Sequence, residues 1–326
     1  MKHQIKTWAL YSYQLPLHKP ILARDAHSKI RKGLIVIQKQ QDRWGIGEAA
    51  PIPGFHSQSL TDVYQELRSW LRDRDPQKRS TLGSLSQFAL DMSEYPYDKP
   101  NIDIAINGLL GAPADISADD FDCYKIKVGR QPIEDDLAML HQFASLLPEK
   151  VQIRLDANRA WSLEQSLRFW EGLKKIPLNI DYIEEPLQDM TSADQLPFRF
   201  ALDESLPLFS DDIDRLTSRF PNIAALILKP SLQGGLFRAE SMVKQATSIG
   251  LRTVISSTFE SSIGLFALAN LAAHQPKTHA GLGTQSWFAQ DLIAPQAKPC
   301  RGFLQTRGDI ALDEIRWALL HKEAQG

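Results

Sequence analysis

From about residue 100 onward, short apolar runs rich in β-branched residues alternate with longer amphipathic stretches. The short runs are Ile102–Ile106, Cys123–Val128, Val151–Asp156, Ile180–Glu184, Phe200–Asp203, Ala224–Lys229 and Arg252–Ser256, with an eighth at Ala280–Leu282. Between them, Ile133–Leu147, Ser162–Lys175, Leu236–Ile249 and Ser261–Ala273 carry apolar residues at helical spacing and begin near capping residues, so they predict helices. Strict alternation of strand and helix is what parallel βαβ units require. So many units in so short a span predict a closed, TIM-like (β/α) barrel of the α/β class rather than an open doubly wound sheet. No Gly-x-Gly-x-x-Gly turn follows the first strand, which argues against a dinucleotide fold.

The first hundred residues have another rhythm. Gln4–Tyr13 and Gly33–Gln40 alternate apolar and polar positions, Ser59–Asp73 reads as an amphipathic helix, and the Pro-rich Gly47–Phe55 reads as a loop. A small antiparallel sheet followed by helices is expected. The predicted division is an α+β capping domain over 1–98, completed by 290–326, and a barrel over 99–289.

Composition narrows the function classes. The chain has 326 residues, 43% of them hydrophobic, and a net charge of -2, with no long basic stripe to suit nucleic acid or a polybasic membrane contact. The N-terminus is too polar for a signal peptide and no apolar run is long enough to cross a bilayer, so a cytoplasmic protein without membrane partners is expected. Cys123 and Cys300 stand far apart, which suits a reducing compartment and packing roles. The sequence leaves the oligomeric state open.

The candidate chemistry lies at strand ends. Lys125 and Lys127 share one face of their strand, and two cations facing an interior demand negative charge there. Asp156, Glu184, Asp203 and Lys229 close the next four strands, and the C-terminal ends of barrel strands converge on one rim. Three of the four intervals equal one full βα unit; the interval from Glu184 to Asp203 is shorter and implies a reduced crossover. Three carboxylates make an oxygen-only site suited to a hard dication, Mg²⁺ first. Lys127 and Lys229 would flank a ligand on that metal, a layout suited to proton transfer beside a carboxylate. A single strand-end acid is ordinarily a cap, and a single strand lysine ordinarily snorkels to solvent. The ordered series Lys, Asp, Glu, Asp, Lys is what departs from that background.

This series resembles the enolase superfamily, in the branch with Lys-x-Lys on the second barrel strand and Lys on the sixth. Further stretches are Arg154-Leu-Asp-Ala-Asn-Arg-Ala-Trp161, Ile183-Glu-Glu-Pro186, Leu202-Asp-Glu-Ser-Leu206, Ile227-Leu-Lys-Pro230 and Val254–Gly264, with Gly47–Phe55. Together they are similar to the o-succinylbenzoate synthase family of the menaquinone pathway, in the muconate-lactonizing-enzyme-like subgroup. The resemblance implies a modified enolase-type barrel with a capping domain, and Mg²⁺ on Asp156, Glu184 and Asp203. It implies dehydration of the small carboxylate 2-succinyl-6-hydroxy-2,4-cyclohexadiene-1-carboxylate. Lys127 would take the α-proton and return it to the departing hydroxyl, Lys229 would stabilise the anion from the other face, and Lys125 would support Lys127. Ser256, with amides at the seventh strand and at the start of the helix near Glu260, would meet the succinyl carboxylate; Asn158 and Arg154 would stand behind the site. N-Succinylamino acid racemases and dipeptide epimerases are the rivals on this scaffold, but the Asp-x-Asp pair usual in dipeptide epimerases is missing from Gly281–Phe288. A more remote alternative is a non-catalytic barrel that only binds metal, against which the two opposed lysines speak.

Overall fold

The computed structural model describes residues 7–23, 26–97, 101–112, 116, 121–275, 278–293, 299–300, 302–307 and 310–326. Strands β1 (Trp8–Ala23), β2 (Ala26–Gln40) and β3 (Arg43–Ala49) form an antiparallel meander, and the last strand, β14 (Leu320–Gln325), pairs with β1. The two-residue period of the strands gives this sheet two buried faces. Trp8, Leu10, Leu34 and Val36 pack with Val63, Leu67, Trp70 and Ala89 of the helices α1 (Leu60–Asp73) and α3 (Ser84–Glu94), which bracket the short α2 (Pro76–Arg79). The alternate residues Ala9, Tyr11, Tyr13, Ile35 and Ile37 join the core shared with the barrel. Ser59 and Asp62 form a capping box that starts α1 where its hydroxyl-acid spacing predicts.

The expected loop at Gly47–Phe55 begins later, because Gly47 to Ala49 lie in β3. Gly47 permits this: a Cβ there would stand 1.8 Å from the Ala89 carbonyl, so only glycine lets β3 and α3 approach so closely. The start of the first expected strand, Gln4 to Lys6, and the 98–99 boundary lie outside the described residues.

The barrel sheet, among the described residues, has seven parallel strands: β5 (Gly108–Leu110), β6 (Cys123–Lys127), β7 (Gln152–Asp156), β8 (Asn179–Glu184), β9 (Phe200–Leu202), β10 (Ile223–Leu228) and β11 (Arg252–Ile255). Helices α4 (Ile133–Leu146), α5 (Leu163–Leu173), α6 (Leu216–Arg219), α7 (Pro230–Gln233), α8 (Leu236–Ser248) and α9 (Ser262–Ala272) connect them, and a 3₁₀ turn at Met190–Gln195 makes the short crossover from β8 to β9. Two expectations need correction. Ile102–Ile106 is not the first barrel strand: β4 (Asn101–Ala105) pairs antiparallel with β13 (Phe303–Arg307), beside β12 (Pro299–Cys300), and β5 takes that place. Strand propensity reports a pleated, half-buried surface and cannot say which sheet supplies it. At Ala280–Leu282 there are two bridges rather than a strand: Gly281 pairs with Ser256 and Ala280 with Ile106, and these link the two edges of the sheet. No helix among the described residues is long and apolar enough to cross a membrane. Cys123 is buried, while the Cys300 side chain lies outside the described residues.

Helix α9 is apolar all round and fully buried, because β3, β4 and β13 cover the side the barrel leaves open. Its N-terminus is taken by two carboxylates. Glu48 of the capping sheet accepts from Ser261 N at 3.0 Å, Ser261 Oγ at 2.8 Å and Gly264 N at 2.8 Å, and also from the Tyr13 hydroxyl. Asp291 accepts from Ser262 N at 3.0 Å. Arg31 donates to the carbonyls of Phe259 and Pro51 at 2.8 and 2.7 Å, so it too ties the capping domain to the segment after β11.

Candidate active site

Strand register stacks the polar residues in layers. Lys125 stands level with Arg154 and Tyr182, and one pleat higher Lys127 stands level with Asp156 and Glu184. All six therefore face the barrel interior. Asp203 and Lys229 follow the last residues of β9 and β10. In the sheet order, β6 and β10 lie four strands apart, which sets Lys127 and Lys229 on opposite walls.

The carboxylates are buried and paired with lysines. Lys125 Nζ is 2.5 Å from Glu184 Oε1 and 2.8 Å from Asp156 Oδ2; Lys127 Nζ is 2.6 Å from Asp156 Oδ2 and 2.7 Å from Asn158 Oδ1. Lys229 pairs with Asp203. The Lys127 side chain is 29% exposed against 10% for Lys229, so Lys127 is the more accessible to a ligand. Burial pushes Glu184 up to about 7, with Asp156 and Asp203 adding to the push against the pull of Lys125. Asp156 is also disfavoured by burial, but Lys125 and Lys127 together hold its carboxyl below the ordinary range. Lys125 is held well above the ordinary lysine range, because three carboxylates outweigh its burial.

The other expected residues divide. Asn158, in left-handed backbone with φ of 46°, links Lys127 to Glu204, to which its amide donates at 2.8 Å. Ser256 lines the cavity and contacts the Gly281 carbonyl at 3.5 Å. Arg154 also lines it, with the guanidinium committed to Asp181 at 3.2 Å and the His279 carbonyl at 2.7 Å, over the Tyr182 ring. Asp181 reaches it through a register shift between β7 and β8, which no alternation pattern reveals. The expected amides at the start of α9 are not available to a ligand, because Glu48 and Asp291 already occupy them.

Sequence reasoning missed Glu185, Glu204, Phe55 and Trp287. Glu185 Oε1 accepts from Asp203 N at 2.6 Å, Ser205 N at 2.9 Å and Ser205 Oγ at 2.6 Å, which fixes the backbone that presents Asp203. Phe55, from the capping domain, lies under the Lys229 ammonium at 5.7 Å. The adjacent acids at 184–185 and 203–204 were a signal, but which member of each pair faces inward depends on the turn after the strand.

A cavity of about 1030 Å³ opens above these residues, lined by Lys125, Lys127, Lys229, the three acids and capping-domain residues. That is ample for a small-molecule ligand. Among the described residues, no three His, Cys, Asp or Glu side chains converge closely enough to hold a metal ion as they stand, since Lys125 and Lys229 draw the acids to themselves. The donor chemistry nonetheless fits a hard dication: buried carboxylate oxygens at the ends of three adjacent strands.

Residues 112–309 match the family model described as Enolase C-terminal domain-like, and residues 5–95 match MenC, N-terminal domain. The chain is 31% identical over 320 residues to an o-succinylbenzoate synthase of Haemophilus influenzae, across 88% of this chain and 95% of that one. It is similar to a solved o-succinylbenzoate synthase from Thermosynechococcus elongatus, complexed with Mg in the active site. That match has a TM-score of 0.71 and 25% identity, over 90% and 95% of the two chains. The L-Ala-D/L-Glu epimerase from Bacillus subtilis superposes with a TM-score of 0.80 over 96% and 99% of the chains, but at 18% identity that likeness speaks for the fold alone. On the family models and the identity to the Haemophilus protein, the chain belongs to the o-succinylbenzoate synthase family of the enolase superfamily.

Proposed function

We propose that the chain dehydrates 2-succinyl-6-hydroxy-2,4-cyclohexadiene-1-carboxylate to 2-succinylbenzoate, with Lys127 as the proton-transfer residue. The observation that carries this assignment of roles is the opposition of Lys127 and Lys229 across a barrel mouth whose floor holds Asp156, Glu184 and Asp203. Lys127, as the amine, takes the proton from the carbon bearing the ring carboxylate. The electron pair moves into that carboxylate, and the Lys127 ammonium then protonates the departing hydroxyl as the ring aromatises and water leaves. One lysine on one face thus serves both steps. Lys229 keeps a positive charge against the opposite face: the pull of Asp203 overcomes burial and raises it above its ordinary value.

Asp156, Glu184 and Asp203 would hold Mg²⁺, which supplies positive charge against the ring carboxylate as the α-proton departs. Asn158 orients Lys127, and Glu185 fixes Asp203. The partner is a small carboxylate. The division into a capping domain of 1–98 with 290–326 over a barrel of 99–289 is supported over 320–325 by the pairing of β14 with β1, while β12 and β13 join β4 of the barrel segment.

The test is a side-by-side assay of the purified protein with Mg²⁺ on the hydroxycyclohexadiene substrate and on N-succinylamino acids. Formation of 2-succinylbenzoate, abolished by Lys127→Ala with an unchanged circular dichroism spectrum, supports the reading. Full activity in that variant, or racemisation without dehydration, overturns it.

A further inference from the structure

The substrate of the proposed reaction carries two carboxylates, one on the ring and one at the end of the succinyl chain, and the site described so far accounts for the first. With Lys127 as the amine, the charges of Lys125, Lys229 and a dication are balanced by Asp156, Glu184, Asp203 and Glu204, so the site holds no surplus positive charge for a second carboxylate. The start of α9 offers nothing to the second, because Glu48 and Asp291 fill it. Arg154 is committed to Asp181 and the His279 carbonyl.

Two further cations line the same cavity, Lys19 and Arg130, and among the described residues neither stands in an ion pair. Both are placed by the backbone. In the hairpin of β1 and β2 the register jumps from Pro16 opposite Ile30 to Ile21 opposite Ser28, so the segment Leu17 to Pro20 bulges out of β1. A bulge bends its strand and re-aims its side chains. This one is fastened to the barrel, since Leu17 bridges Phe288 and Ala289 N donates to the Pro16 carbonyl at 2.9 Å. Lys19 Nζ consequently lies 5.7 Å from the centroid of the Trp287 ring, at the cavity wall.

Arg130 follows Gly129, whose φ is 78° and where a Cβ would stand 2.6 Å from Ala160 Cβ. Asp136 accepts from Gly129 N at 2.7 Å and holds this turn at the end of β6, the strand that carries Lys127. One cation thus comes from the capping domain and one from the barrel.

We propose that Lys19 and Arg130 form a cationic rim that binds the succinyl carboxylate and confers the preference for a dianionic substrate. This rests on the function proposed above. The test uses Lys19→Gln, Arg130→Gln and the double variant, with Mg²⁺ present. It measures turnover, and also calorimetric binding of 2-succinylbenzoate and of its analogue with the succinyl carboxylate replaced by a carboxamide. The double variant is expected to raise KM and the product Kd about tenfold, as two partly exposed ion pairs of about 0.7 kcal/mol each would give, with kcat within about twofold. Amide affinity should be unchanged by the substitutions, and added salt should weaken product binding to the wild type more than to the double variant. Equal affinity of wild type and double variant for the product, or equal losses for acid and amide, overturns the rim while the function stands. A wild type that makes no 2-succinylbenzoate overturns the function itself.

Discussion

Asn158 holds Lys127 by its side-chain oxygen at 2.7 Å while its nitrogen is held by Glu204 at 2.8 Å. The residue sits in left-handed backbone just past β7, a conformation Asn tolerates better than most residues. The lysine head group is therefore steered from the neighbouring strand's turn. Asn158→Gly keeps the backbone at ease but removes the contact, and should lower kcat about tenfold or more with little change in KM. An unchanged kcat would remove Asn158 from the positioning of the base.

Lys125 pairs with Asp156 and Glu184 at once. Lys125→Met should cost about 3 kcal/mol of stability in chelator, because buried carboxylates lose a partner. Saturating Mg²⁺ should recover part of that. Urea unfolding in the two conditions measures it, and an equal loss in both would mean that lysine and metal do not share these acids.

Metal addition should stabilise the folded chain by about 2.7 kcal/mol at a hundredfold excess over Kd. Asp156→Asn should abolish most of that increment. A midpoint of thermal unfolding that does not respond to Mg²⁺ in the wild type would count against the three-carboxylate site.

Glu48 joins two domains through hydrogen bonds to Tyr13, Ser261 and Gly264. Glu48→Ala leaves the first amides of α9 buried without acceptors, so a loss of about 3 kcal/mol or more is expected. Hydrogen exchange should rise at Ser261 to Gly264 in the variant. Protection as in the wild type would mean that the latch is dispensable.

Asp91 pairs with Arg79 at 2.5 Å and accepts from Phe237 N at 3.2 Å, yet burial outweighs both and pushes its carboxyl up to about 6. A carboxyl raised in the folded state binds its proton more tightly there than when unfolded. Its stabilising contribution is full below about 4 and is lost as pH rises through about 6. The stability difference between the wild type and Asp91→Asn should shift toward the wild type by roughly 2 kcal/mol as pH falls from 6.5 to 4. Urea midpoints across that range measure it, and a difference constant with pH would refute the assignment.

Much of the barrel was legible because parallel strands buried on both faces must be apolar, while charges confined to their ends have few places to go. Cys123–Val128 and Ala224–Lys229 show this: only the polar positions of each run carried chemistry. Ile102–Ile106 misled because an antiparallel strand with one buried face, exposed at Asn101 and Asp103, looks the same in composition. Asp181 was invisible because a register shift overrides alternation.

The sequence by itself determined that Lys125 and Lys127 share a face, since the period of a strand is local geometry, and that Asp156, Glu184, Asp203 and Lys229 close the strands that follow, whose ends converge on one rim. Only the tertiary structure decided what reaches that rim from elsewhere. Glu48 takes the helix start that an anion was expected to use, and a bulge anchored on Phe288 carries Lys19 to the cavity wall. Such contacts join residues hundreds of positions apart, and their partners are chosen by packing between domains rather than by any periodicity along the chain.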